Sequence, residues 1–120
     1  MTKTLEKIQQ EERHLGNELD QIESETTQLQ HMTEKYEAFF YQTSTLFTEM
    51  TERFSQNEFH WYVSEQSEQL HYQQQTIFNE LADEQHQRRK QKSTLEDRQD
   101  DLFYQRKPLL ANQEEPKNEY

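Results

Sequence analysis

Residues 54 to 59 read Phe54-Ser55-Gln56-Asn57-Glu58-Phe59, and this stretch decides the fold. Either the chain turns back here, or one helix runs on through roughly a hundred residues. Ser55 and Glu58 have the spacing of a capping box, in which each side chain satisfies the other residue's backbone N–H at a helix start. Phe54 and Phe59 occupy the two positions of a hydrophobic staple around that box. Ser93 and Glu96 repeat the spacing, but Lys92 and Asp97 flank them and cannot form a staple. The combination predicts a helix ending near Arg53 and a second one starting near Ser55 or Asn57.

The residues upstream of the turn carry one stripe. It comprises Leu5, Ile8, Glu12, Leu15, Leu19, Ile22, Thr26, Leu29, Thr33, Tyr36, Phe40, Thr43, Phe47, Met50 and Phe54. Their spacing alternates three and four without a slip, and eleven of the fifteen are apolar or aromatic. That is a heptad seam, the signature of a helix packed lengthwise on another helix. Downstream, Val63, Leu70 and Ile77 are seven apart. A second seven-residue series runs through Leu81, Arg88, Leu95, Leu102 and Leu109. Both belong to one seam whose populated site switches after Ile77, and its stretch between Ala82 and Leu102 is mostly polar.

The expected fold is therefore all-α: two long antiparallel helices, about 3–53 and 56–107, forming a coiled-coil hairpin. A fold-back near residue 57 places Glu23 and Glu25 opposite the basic run Arg88, Arg89, Lys90 and Lys92. It also places Arg13 opposite Asp100 and Asp101, and Lys35 opposite Glu80. Pro108 reads as a helix stop, because proline lacks the backbone N–H and clashes with the preceding turn. The expected organisation is one helical-hairpin domain over 1–110 and a disordered tail over 111–120.

Composition narrows the function. The 120 residues carry a net charge of −11, one Gly, two Pro and no Cys. A chain this acidic is a poor partner for nucleic acid or an anionic membrane surface. The basic run from His86 to Lys92 is short, lacks interleaved aromatics and reads as a helix face answering Glu23 and Glu25. No window is long and apolar enough to span a membrane. The five histidines, His14, His31, His60, His71 and His86, never fall four apart, so no helical metal site is expected. A two-helix fold offers no cleft where carboxylates could converge for acid–base work. No phosphate loop or nucleophile motif is present. The expectation is a non-enzyme with no catalytic residue, cofactor or metal.

Aromatic residues are the informative feature. Nine of fourteen lie between Tyr36 and Tyr62. Tyr36, Phe40, Phe47 and Phe54 sit on the seam and are expected in the core. Phe39, Tyr41, Trp61 and Tyr62 fall beside or off it, and Tyr72 lies on the same arm as the last two. Two helices cannot bury rings on several faces, so Phe39, Tyr41, Trp61, Tyr62 and Tyr72 are the candidate partner-binding residues.

These features resemble proteins that travel with type VII secretion systems. Trp61-Tyr62-Val63 departs from the Trp-x-Gly turn of WXG-type proteins, because Val63 replaces the glycine. The N-terminal heptad helix, the aromatic middle E-A-F-F-Y-Q-T-S-T-L-F and the block L-E-D-R-Q-D-D-L-F-Y-Q-R-K over 95–107 are closer to the second of two families of small helical proteins encoded beside LXG toxins. The resemblance implies an adaptor, chaperone or targeting factor. Its partners would be the helical N-terminal LXG domain of a toxin and a small helical protein of the first family. It implies a cytoplasmic protein, with co-export through the type VII system as a further expectation. Phe103 and Tyr104 are followed four residues on by Lys107 and Pro108, so the tail lacks the aromatic-x-x-x-acidic export signal. An export signal would then come from the first-family partner. The rival expectation is a structural coiled-coil protein that homodimerises and has no client.

Overall fold

The computed structural model describes residues 4 to 114, with side chains to Ala111. It consists of two helices, α1 over Leu5–Arg53 and α2 over His60–Glu114. Among the described residues there is no strand. Thr4 caps α1: its hydroxyl oxygen accepts from the Lys7 N–H at 3.3 Å, and its carbonyl accepts from the Ile8 N–H at 3.1 Å. No described helix is long and apolar enough to cross a membrane.

The turn lies where the sequence places it, with a different cap. Phe54 to Phe59 form the connection, and the Phe54 and Phe59 rings meet edge to face at 6.1 Å between centroids. Asn57, rather than the Ser55–Glu58 box, organises the entry to α2. Its Oδ1 accepts from the Phe59 N–H at 3.2 Å, and its carbonyl accepts from the His60 N–H at 3.0 Å. The Asn57 N–H in turn donates to the Phe54 carbonyl at 3.0 Å. An asparagine side chain holding a backbone N–H two residues on builds such a turn without help from a glycine. No described residue needs a positive φ, which is why the bend tolerates a sequence without Gly.

The helix pair divides into two compact units. The first contains α1 up to Glu25 and α2 from Gln87 onward. Its core is Ile8, Leu15 and Leu102, with Leu95 and Leu109 packed against them. Leu102 is fully buried and Ile8 is 1% exposed. Ion pairs line this core: Arg98 Nη2 to Glu11 Oε2 at 2.9 Å, and Arg106 Nη1 to Glu12 Oε2 at 3.6 Å. Arg88 Nε lies 2.7 Å from Glu25 Oε2, a contact of charge rather than an aligned hydrogen bond. The expected Glu25–Arg88 opposition is thus present. Arg13 does not reach Asp100 or Asp101, because Arg13 leaves α1 one residue past the seam and is exposed. The contacts to α2 are made instead by Glu12, on the seam, and by Glu11 beside it.

The second unit runs from Thr26 to His86. Its buried residues are Phe40, Val63 and Leu81. The Phe40 ring packs on Phe78 at 5.7 Å, on Phe39 edge to face at 5.3 Å and on Tyr36 at 6.2 Å. Threonines on this stretch of the seam return their hydroxyls to the helix. Thr33 donates to the Leu29 carbonyl and Thr43 to the Phe39 carbonyl, both at 2.8 Å, so only the methyl needs an apolar neighbour. Thr33 also accepts from Gln85 Nε2 at 3.4 Å across the pair. The expected Lys35–Glu80 pair does not form; both residues are exposed.

The reading of Pro108 as a helix stop is corrected. α2 runs through Pro108 to Glu114, so residues 111–114 are helical; residues 115–120 lie outside the described part. An interior proline costs about 3 kcal/mol through a lost hydrogen bond and a steric clash. Here Leu102 and Leu109 on either side hold the helix against the Ile8 cluster, and Pro108 itself is exposed.

Two outcomes test this account. Phe40→Ala should lower stability by about 3 kcal/mol or more, because its ring is 3% exposed. Phe47→Ala should cost less, since Phe47 is only half-buried; thermal melts order the two. Asn57→Ala should cost about 1 kcal/mol as a lost cap, while Ser55→Ala should change almost nothing. The reverse order in urea titrations would restore the capping box.

Candidate interaction surface

The side chains of interest belong to the second unit and leave the helices off the seam. On a helix each residue advances about 100°, so residues seven apart share a face and residues two apart lie on different flanks. Phe40 occupies the seam. Phe39 leaves one flank of α1, and Tyr41 leaves the other. On α2, Trp61 and Tyr72 lie on the outer face, away from the Val63–Leu81 seam, and Tyr62 lies to one side.

All five candidate residues are exposed, from 56% at Phe39 to 80% at Trp61. They do not converge on one patch. Their spread over several faces follows directly from their register. The Phe39 ring is braced edge-on by that of Phe40. The Trp61 ring touches that of its neighbour His60 at 6.5 Å.

The structure adds two residues that the sequence reading passed over. Met32 and Leu46 are 46% and 54% exposed. Each lies seven residues from Phe39, so Met32, Phe39 and Leu46 form a second stripe beside the seam. The signal was a heptad series parallel to the one already found. It was hidden because the seam alone accounts for the gross periodicity. Met32, Lys35, Tyr36 and Phe39 wall a shallow groove of about 390 Å³ on this flank.

The same heptad position behaves differently earlier in α1. There it is filled by Glu11, Glu18 and Glu25. Glu11 meets Arg98, Glu18 meets His14 Nε2 at 2.6 Å, and Glu25 meets Arg88. One track of the helix thus changes from paired carboxylates to exposed apolar side chains after residue 25.

Apolar area left in water contributes little to the isolated fold. Trp61→Ala should therefore leave the melting temperature unchanged within about 1 °C, in contrast to Phe40→Ala. A loss comparable to that of Phe40→Ala, measured by circular dichroism, would place Trp61 in the core.

A model of the family described as a protein of unknown function, DUF3958, matches residues 3–109. No curated protein and no solved structure matches the chain.

Proposed function

Since the chain belongs to the DUF3958 family of unknown function, we propose its role from its surface: a non-enzymatic adaptor or chaperone that binds a helical client. The client is the N-terminal LXG domain of a type VII secreted toxin, engaged together with a second small helical protein. The observation that carries this reading is the exposure of Phe39, Tyr41, Trp61, Tyr62 and Tyr72 on one helical unit. Large rings that the fold leaves in water are the usual anchors of protein interfaces. Helical clients suit them, because an amphipathic helix laid along a helix pair completes a bundle.

The likeness of the aromatic middle and the 95–107 block to proteins encoded beside LXG toxins supports the identity of the client. In this role the adaptor shields the toxin's apolar helices before export, and its partner of the first family supplies the export signal. The protein acts in the cytoplasm and accompanies the assembly to the secretion machinery.

Co-expression tests the proposal. The chain is produced with the LXG domain of the adjacently encoded toxin and its small helical neighbour, then purified by size exclusion. The expected result is a stable complex whose affinity falls about tenfold or more with Trp61→Ala, as for an interface hot spot. A chain that stays apart from both candidates would overturn the adaptor reading.

A further inference from the structure

The apolar stripe on α1 has a self-complementary order. Along this one heptad track the residues are Glu25, Met32, Phe39, Leu46 and Arg53. The series has Phe39 at its centre, apolar side chains seven residues to either side, and opposite charges fourteen residues to either side. We propose that this track docks a second copy of the chain, with two α1 helices antiparallel about a two-fold axis at Phe39.

In that arrangement Phe39 packs on Phe39 of the partner subunit. Met32 packs on Leu46 of the partner subunit, and Glu25 faces Arg53 of the partner subunit. The isologous symmetry makes the Met32–Leu46 and Glu25–Arg53 contacts twice each and the Phe39 pair once, on the axis. Lys35 borders the stripe on its outer side and falls opposite Gln42 of the partner subunit, an uncharged acceptor. No like charges meet. An in-register parallel pair would instead set Lys35 on Lys35, Arg53 on Arg53 and Glu25 on Glu25. In a chain of net charge −11, that difference in charge placement selects the antiparallel form. Glu25 already holds Arg88 through Oε2, but a carboxylate offers about four acceptor sites and accommodates a second guanidinium.

The seat is partly prepared. Phe39 is braced by Phe40, and the groove walled by Met32, Lys35, Tyr36 and Phe39 lies along the track. From Met32 to Leu46 the apolar stretch covers about 21 Å of helix. One helix face of that length gives a small interface, so self-association should be reversible and micromolar rather than obligate. This inference does not depend on the client. It adds self-association to what the Phe39 face can do, while Tyr41, Trp61, Tyr62 and Tyr72 lie on other faces.

Disulfide trapping on the full chain tests it, helped by the absence of any native cysteine. Under mild oxidation, Phe39→Cys should cross-link to itself in high yield. Met32→Cys alone should not, because its two copies would lie about 21 Å apart. A mixture of Met32→Cys and Leu46→Cys should give the mixed dimer. Tyr41→Cys, on the other flank, should stay uncross-linked. Circular dichroism confirms folding of each variant, all of which alter exposed positions. Sedimentation of the unmodified chain should show a dimer that Leu46→Gln and Arg53→Glu each weaken about tenfold. Efficient cross-linking of Met32→Cys alone, equal cross-linking at Tyr41→Cys, or a pure monomer at about 200 µM would overturn the proposal. Cross-linking that vanishes only when the LXG domain is added would support it, and would place the client on the same track.

Discussion

Everything in this molecule follows from a single packing constraint: each of two helices has one apolar seam, and each seam can be covered only by the other. The seam of α1 repeats every three and four residues without a break, and α2 answers it. What lies on the seam is buried or half-buried, Thr26 excepted. Most large apolar side chains off it stay in water, Phe78 against Phe40 being an exception. The described residues form no third layer, so most rings outside the seam are left in water. Their exposure is a consequence of topology rather than of local sequence.

The hairpin was legible because its signals are local or periodic. Heptad spacing needs only the residue order. The Phe54–Phe59 staple needs only six residues, and it forms as expected. The cap was misassigned because Ser55–Glu58 and Asn57 compete for neighbouring N–H groups, and spacing alone cannot decide between them. Among the ion pairs, Glu25–Arg88 was legible and Arg13–Asp100 was not. Opposition by residue number ignores which face a side chain leaves from, and Arg13 leaves from the wrong one. Pro108 was misread for a related reason. Its local cost is real, but Leu102 and Leu109 dock α2 on both sides of it, and tertiary packing outweighs one lost hydrogen bond. The five candidate aromatics are exposed because they lie off the seam, whereas Met32 and Leu46 belong to a second heptad series beside the first.

The two units divide the chemistry of the surface. In the first, the flank of α1 carries carboxylates that meet Arg98, His14 and Arg88; the apolar residues of α1 there lie on the seam, while α2 leaves Phe103, Tyr104 and Leu110 exposed. In the second, the same track carries Met32, Phe39 and Leu46, and the outer faces carry Trp61, Tyr62 and Tyr72. Surface of the first kind stays in solvent at little cost. Surface of the second kind loses free energy in water and gains it by association. The function proposed for the chain, assembly with other helices, resides in that second unit.

Trp61 is the single tryptophan, which makes it a reporter with no background. The most direct test of the central claim is acrylamide quenching of its fluorescence in the free chain and after addition of the LXG domain. The account predicts emission near that of a solvated indole and ready quenching in the free chain, then a blue shift and protection on complex formation. Strong protection in the free chain would show that the fold itself buries this ring. A complex that leaves Trp61 fully quenchable would show that the client binds elsewhere.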